Sequence, residues 1–263
     1  MNRAILPAIV SGALMLSFCG CHGSNNQTDK PDKTTPQSTS QKSSQTNNTG
    51  IAGLAGNEVM TAERQASISP QYVLQRLKDG NKRFVDNSLT QRDHTTQLRK
   101  STKAQFPKAI ILGCVDSRVP VEDVFDLGLG DVFVARVAGN FTNTDILGSM
   151  EYACKVAGSK LVMVLGHEHC GAVKSAIDGA QLGNITAMLS KLAPALEQTA
   201  DFKGEKSSKN PAYVHAVCEN NVRLTIDQIR KRSEILKQME DNRQILIVGG
   251  IYDLDTGAVT FLD

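Results

Sequence analysis

Residues 109–119 read AIILGCVDSRV, an apolar run that ends at Gly113 and is followed at once by a thiol, a carboxylate and a guanidinium at alternate positions. Further apolar runs end at Val137 (VFVARV), Gly166 (KLVMVLG) and Gly250 (QILIVGG), and helix-like segments separate them. Because these runs lack polar–apolar alternation, they predict strands covered on both faces. The sequence therefore predicts an α/β fold, with a central, mainly parallel β-sheet flanked by helices.

The residues after two of these runs suggest a metal site, since functional groups collect at the carboxyl ends of parallel strands. Cys114, Asp116 and Arg118 follow the first run, and LGHEHCGAV places His167 and Cys170 after the third. Two thiols and an imidazole form a Cys-His-Cys zinc set, which leaves the fourth position open as a catalytic zinc requires. Cys170 opens a predicted helix, GAVKSAI, where the helix dipole favours a thiolate.

Other residues with chemical potential have less specific interpretations. His169 either ferries protons, exchanges as a ligand, or is a polar loop residue that points elsewhere. Gly139 and Asn140 either let the backbone approach the metal or form a tight turn, and Gly171 is expected to permit close packing beside Cys170. The remaining cysteines are expected to be buried small hydrophobic residues and the remaining histidines structural or exposed: Cys154, Cys218, His22, His94 and His215.

Composition restricts the class of protein. The 263-residue chain is 40% hydrophobic, enough for a substantial core, and its net charge of +2 gives no sign of a nucleic-acid surface. Its six cysteines form no disulfide framework and no C-x-x-C redox pair.

The N-terminal region predicts export and a tether. Residues 1–21 have one basic residue followed by an apolar stretch too short for a transmembrane helix of ~20 residues, which is typical of an export signal. Cys19 and Cys21 are candidate lipidation sites, with Leu16 and Phe18 at their respective −3 positions. Residues 22–68 are predicted to be a low-complexity linker rich in Ser, Thr, Gln and Asn. We therefore expect a protein exported to the periplasm or cell envelope and anchored there by a lipid.

The predicted domain spans 69–263 and begins with a helical arm. Ser69 is placed as N-cap and Pro70 at the first helical position, and the apolar spacing that follows is helical. This helix either covers the sheet of its own subunit or packs on a neighbouring one.

The sequence resembles the β-class carbonic anhydrases over 69–263. The resemblance lies in CVDSRVPVEDVFDLGLGDVFVARVAGN, DILGSMEYACKVAG, LVMVLGHEHCGAV, YDLDTGAVTFLD and the helix QRLKDGNKRFV. It implies reversible hydration of carbon dioxide, a homodimer or a multiple of it, and one Zn²⁺ per subunit. The family's zinc ligands match Cys114, His167 and Cys170, and its catalytic dyad matches Asp116 and Arg118.

The resemblance also suggests a mechanism through zinc-bound hydroxide. Zinc lowers the pKa of its bound water toward ~7, Asp116 accepts a hydrogen bond from the hydroxide, and Arg118 keeps that carboxylate ionised and away from the metal. In part of the family the aspartate is instead a fourth ligand that closes the site. Because two thiolates already neutralise the zinc charge, we expect an open site here. The chain has no tryptophan, so the second, inhibitory bicarbonate pocket that depends on one in relatives is not expected.

Two other functions remain open. The same fold and metal could instead serve hydrolysis of carbonyl sulfide or carbon disulfide, and the sequence discriminates poorly between these substrates and carbon dioxide. The chain could also be a non-catalytic zinc-binding envelope protein, although a structural site needs neither Asp116 nor Arg118 and prefers four protein ligands.

Overall fold

A computed structural model describes residues 56–262. The predicted export signal at 1–21, with Cys19 and Cys21, and residues 22–55 of the predicted linker lie outside the described residues. In the part of the chain that the structure describes, no helix combines the length and the apolar character needed to cross a bilayer.

The core of the domain is a five-stranded sheet with the strand order β2-β1-β3-β4-β5. Its strands are β1 (Ala109–Gly113), β2 (Val132–Arg136), β3 (Leu161–His167), β4 (Leu246–Tyr252) and β5 (Val259–Leu262). The first four strands pair in parallel, and β5 joins the edge antiparallel to β4. The predicted α/β fold is therefore confirmed, with an additional short edge strand that the apolar pattern does not reveal.

The strands differ in how completely they are covered. Every residue of β1 and β3 is buried, as the absence of alternation predicts for central strands. The same reasoning is wrong for β2, whose residues are half-buried or exposed. The reason is its place at the edge of the sheet, where no further strand covers its outer side.

Helices cover both faces of the sheet. They are α1 (Ala62–Ser67), α2 (Pro70–Val85), α3 (His94–Ser101), α4 (Val121–Val124), α5 (Thr144–Glu151), α6 (Gly171–Ile177), α7 (Gly183–Leu189), α8 (Ala193–Gln198), α9 (Pro211–Arg232) and α10 (Glu234–Asp241). Helix α5 continues as a π-helical turn, Tyr152–Val156. Val73 and Leu77 of α2 lie in the same buried cluster as Ile111 and Met163, so α2 covers the sheet of its own subunit.

The folded region begins earlier than the sequence predicts. Ser69 caps α2 as expected, its hydroxyl accepting from the Tyr72 N–H at 3.1 Å. However, α1 precedes it, and the Gln65 amide donates to two backbone carbonyls of the domain at 2.8 Å each. Met60 and Ile68 are also buried, but two apolar residues are too few to produce a periodic signal.

Helix α9 lies unusually close to the carboxyl half of β3 and β4. A Cβ atom added at Gly166 would stand 2.8 Å from a Val222 methyl group, and one at Gly249 would stand 2.7 Å from the same side chain. Such distances are shorter than van der Waals contact, so the glycines permit this packing. The close packing brings α9 next to the end of β3, where the candidate ligands begin.

Candidate metal centre

Three ligand-type side chains meet at the carboxyl edge of the sheet. Cys114 directly follows β1, His167 ends the adjacent strand β3, and Cys170 is the N-cap residue of α6. Their ligand atoms all lie within 4.8 Å of one another, and the two sulfurs are 4.0 Å apart. All three residues are buried, with exposed fractions of 4%, 1% and 1%.

The ring of His167 is oriented as a ligand would be. Its Nδ1 lies 2.8 Å from the backbone carbonyl of Glu168, so Nδ1 carries the proton and donates it to this oxygen. Within residues 56–262, Nε2 is buried and has no hydrogen-bond partner. A buried acceptor without a partner is costly, and a metal ion would satisfy it.

The thiols of Cys114 and Cys170 lie within hydrogen-bonding distance of each other, and this contact shifts the pKa of both. Hydrogen bonding to Cys170 lowers the pKa of Cys114 against the opposing effect of burial, and the same bond raises the pKa of Cys170. The Gly139 N–H also donates to Cys114 Sγ at 3.4 Å. The two sulfurs lie 4.0 Å apart, at a position where a cation could contact both.

The turn at Gly139 fulfils both interpretations considered for it. Its backbone reaches the sulfur of Cys114, while the Asn140 N–H donates to the Val137 carbonyl at 2.9 Å and closes a tight turn. Gly139 has a φ of +84°, a left-handed conformation that favours glycine. By contrast, a Cβ atom added at Gly171 would have no atom within 4 Å other than its chain neighbours and the backbone of its own helix, so close approach of another element does not require a glycine there.

Asp116 and Arg118 form a bidentate ion pair at the mouth of the centre. The Arg118 Nε donates to Oδ1 at 2.9 Å, Nη2 donates to Oδ2 at 2.7 Å, and the Arg118 backbone N–H adds a third bond to Oδ1 at 3.0 Å. These bonds hold the pKa of Asp116 well below its usual range. Asp116 Oδ2 lies 3.8 Å from His167 Nε2, so the carboxylate borders the centre while remaining paired with arginine.

His169 points away from the ligand cluster. Its Nε2 lies 3.7 Å from Asp255 Oδ2 at the surface, and its φ is +54°. This geometry favours the polar loop residue among the alternatives considered for it.

Several residues that the sequence did not assign to the centre contact it, including Cys218, expected to be only a small buried residue, and His215, expected to be structural or exposed. Arg136, at the end of β2, donates to the carbonyls of Cys114 and Val119 at 2.9 and 2.6 Å and so braces the loop that carries Asp116. His215 and Cys218 of α9 contact the segment that carries His167. Only the fold reveals these contacts, because each joins residues far apart in sequence.

The other buried cysteine, Cys154, has no such contact. It lies in the core with an exposed fraction of 2%, and burial raises its pKa to about 12. This is the small hydrophobic residue that the sequence predicts.

Comparison with known proteins gives a consistent result. A family model described as carbonic anhydrase matches residues 109–259. A carbonic anhydrase of Mycolicibacterium smegmatis is 36% identical over 197 residues, covering 73% of this chain and 92% of that protein. The crystal structure of a β-carbonic anhydrase from Aspergillus fumigatus aligns with a TM-score of 0.58 and 25% identity, over 73% of this chain and 90% of the other. A tetrameric β-carbonic anhydrase of Sordaria macrospora has the same fold, with a TM-score of 0.58 and 22% identity over 73% and 95% of the two chains.

Proposed function

The chain belongs to the carbonic anhydrase family, and on that premise we propose that it is a β-class zinc enzyme that converts carbon dioxide reversibly to bicarbonate and a proton. The observation that carries the proposal is the buried convergence of Cys114 Sγ, His167 Nε2 and Cys170 Sγ within 4.8 Å. The Asp116–Arg118 ion pair borders this cluster, as a catalytic centre requires and a purely structural metal site does not.

The donor set fits Zn²⁺. Thiolate and imidazole ligands suit zinc, whereas calcium and magnesium prefer oxygen. Two observations mark a position where a cation would be stabilised: His167 Nε2 has no hydrogen-bond partner within residues 56–262, and the sulfurs of Cys114 and Cys170 lie 4.0 Å apart. Three protein ligands leave one coordination position for water or substrate. We therefore assign one zinc ion to each subunit.

Asp116 is proposed to orient the nucleophile. When bound, zinc lowers the pKa of a coordinated water toward ~7, which makes hydroxide available near neutral pH. Asp116 Oδ2 lies 3.8 Å from His167 Nε2 and so faces the same space, where it accepts a hydrogen bond from the nucleophile. This bond fixes the nucleophile's orientation so that a lone pair points toward carbon dioxide.

Arg118 is proposed to keep the centre open. It donates one side-chain hydrogen bond to each oxygen of Asp116, which keeps the carboxylate ionised and paired with the guanidinium instead of bound to the metal. An aspartate ligand would add negative charge to a zinc already neutralised by two thiolates. The proposed working state is therefore the one with Asp116 paired to Arg118.

The test is stopped-flow hydration of carbon dioxide by the zinc-loaded chain at pH 7 and pH 8.5. Strong activity at both values supports an open carbonic anhydrase. Activity only at the higher pH would indicate that Asp116 closes the metal site in the lower range. No activity at either pH, with zinc content verified, would refute the proposal and direct attention to carbonyl sulfide, carbon disulfide or a binding role.

We further propose that the enzyme is a dimer or a multiple of dimers. The supporting observation is the edge strand β2, where Phe133, Ile146 and Tyr152 line an open groove of about 710 Å³. Edge strands that remain uncovered tend to associate, and the Sordaria macrospora relative is tetrameric. Light scattering coupled to size exclusion would test this, and a monomer at micromolar concentration would contradict it.

Export and lipid attachment complete the proposal. The apolar stretch of residues 1–21 and the Ser/Thr-rich segment after it support an enzyme tethered at the periplasm or cell envelope. Mass spectrometry of the mature N-terminus tests this and distinguishes Cys19 from Cys21. An unprocessed N-terminus in the native host would contradict it.

A further inference from the structure

Two side chains of α9 contact the segment that carries two of the proposed ligands. His215 and Cys218 are three residues apart, so they lie on the same face of the helix. That face meets the end of β3, where Gly166 allows α9 to approach closely. Neither side chain belongs to the ligand cluster itself.

The thiol of Cys218 holds the backbone of His167. Its Sγ lies 3.5 Å from the His167 carbonyl, to which it donates, and the residue is 3% exposed. This contact therefore fixes the backbone carbonyl of one proposed ligand to α9.

The imidazole of His215 holds the next residue, Glu168. His215 Nδ1 hydrogen-bonds Glu168 Oε1, while the Glu168 N–H donates to the Tyr252 carbonyl at 2.9 Å. The carbonyl of Glu168 in turn accepts the Nδ1 proton of His167 at 2.8 Å. Fixing Glu168 thus fixes the group that sets the tautomer and ring orientation of His167.

His215 in turn contacts Glu219, which is paired with Arg223. Its Nε2 lies 3.8 Å from Glu219 Oε2, and Arg223 donates to Glu219 Oε1 at 2.8 Å. The chain of contacts therefore runs along successive turns of α9 to the ligand segment. A fixed imidazole can hold Glu168 in one orientation.

We propose that His215 and Cys218 are positioning residues, which hold residues 167–170 so that His167 Nε2 and Cys170 Sγ converge on the metal. This inference rests on the proposed zinc site. Outer-shell partners of this kind orient metal ligands, and their loss typically costs ~10–100-fold in metal affinity.

The variants that test the proposal remove or retain one donor at a time. Cys218→Ala removes the thiol donor, whereas Cys218→Ser keeps a hydroxyl that can donate to the same carbonyl. His215→Ala removes the contact with Glu168, whereas His215→Asn keeps an N–H near the position of Nδ1. Cys154→Ala is the matched control, because it removes an equally buried thiol of the same core cluster that, among the described residues, forms no hydrogen bond to the ligand segment.

The experiment measures zinc affinity by competition with a chromogenic chelator, in reductant and on the full chain, together with the visible d–d spectrum of the cobalt(II) form. We expect both alanine variants to bind zinc ~10–100-fold more weakly and to shift the cobalt spectrum, and Cys218→Ser and His215→Asn to recover most of the affinity. Cys154→Ala should match the unmodified chain. If an alanine variant does not fold, the zinc affinity of the donor-retaining variant at the same position decides whether the positioning role holds.

The outcomes separate the two proposals. Unchanged zinc affinity in both alanine variants would overturn the positioning role while leaving the zinc site intact. So would equal weakening in Cys154→Ala, because the effect would then be one of core packing. If the unmodified chain binds zinc no better than Cys114→Ser, the proposed zinc site fails first and the positioning role fails with it.

Discussion

Replacing Asp116 by asparagine tests the proposed orientation of the nucleophile at a single atom. In the structure, Oδ1 accepts two hydrogen bonds from Arg118, at 3.0 and 2.9 Å, whereas Oδ2 accepts one, at 2.7 Å. An asparagine has only one acceptor oxygen. Placing that oxygen at Oδ1 keeps two bonds, while placing it at Oδ2 keeps one and sets the amide NH₂ against two donors. The first orientation is therefore favoured.

In this orientation the asparagine turns a hydrogen-bond donor, instead of an acceptor, toward the nucleophile. The NH₂ occupies the position of Oδ2, which lies 3.8 Å from His167 Nε2 and faces the metal centre. The side chain then donates to the nucleophile where the carboxylate accepted. Loss of one preorganised hydrogen-bonding group at a reacting centre costs ~10²–10³-fold in rate, so we expect kcat/KM for carbon dioxide to fall by that factor.

The assay is stopped-flow hydration with a pH indicator, accompanied by metal analysis of the same samples. Zinc content should equal that of the unmodified chain, because Asp116 is paired with Arg118 and is not a ligand in this arrangement. Asp255→Asn is the matched control, since this carboxylate is 83% exposed and its ion-pair contact among residues 56–262 is with His169, at 3.7 Å. A zinc-loaded Asp116→Asn enzyme with more than about a tenth of the original activity would refute the assigned role.

Three further predictions address the ligands and the buried thiols. Cys114→Ser and His167→Ala should each lose bound zinc and activity together in metal analysis and stopped flow; activity without zinc would contradict the site. Zinc removal in air should let Cys114 and Cys170 form a disulfide, because their sulfurs are 4.0 Å apart. Oxygen takes up the two electrons and two protons that are released and is reduced to hydrogen peroxide. Activity should then return only with reductant plus zinc, and recovery with zinc alone would argue against the disulfide. Burial raises the pKa of Cys154 to about 12, above the ~8.5 of an unfolded thiol. The contribution of this thiol to the free energy of unfolding is therefore fully present below pH ~8.5. At higher pH, that free energy falls by ~1.4 kcal/mol per pH unit. Urea unfolding from pH 8 to 10 should show a shallower decline for Cys154→Ala, and an unchanged slope would contradict the assignment.

The sequence predicts the ligand cluster well because its determinants are local. Each candidate ligand lies at or just after the end of an apolar run, and adjacent parallel strands place those ends side by side. The Asp116–Arg118 pair joins residues two positions apart, so its geometry depends mainly on one turn. The cluster thus follows from the pairing of two strands whose apolar runs are visible in the sequence, whereas the ion pair follows from the spacing of two residues.

The parts that the sequence does not predict depend on neighbours that spacing cannot identify. The run VFVARV has the composition of a central strand, but its position at the sheet edge depends on the order of all five strands. Helix α1 is joined to the domain by Gln65, whose side-chain amide donates to the carbonyls of Pro107 and Ala157. A linker-like composition gives no indication of such long-range hydrogen bonds.

The residues that brace the metal centre also lie far from it in sequence, and they show how the fold holds the candidate ligands in place. The ends of β1 and β3 bring the candidate ligands to one edge of the sheet, but a flexible edge would not hold their three ligand-type atoms within 4.8 Å. Arg136 braces the loop after β1 from a neighbouring strand, and α9 braces the segment after β3 through His215 and Cys218. The ligands are therefore set by local sequence, whereas their orientation is set by residues elsewhere in the chain. A variant that keeps every ligand but loosens α9 should for this reason weaken the metal site without unfolding the sheet.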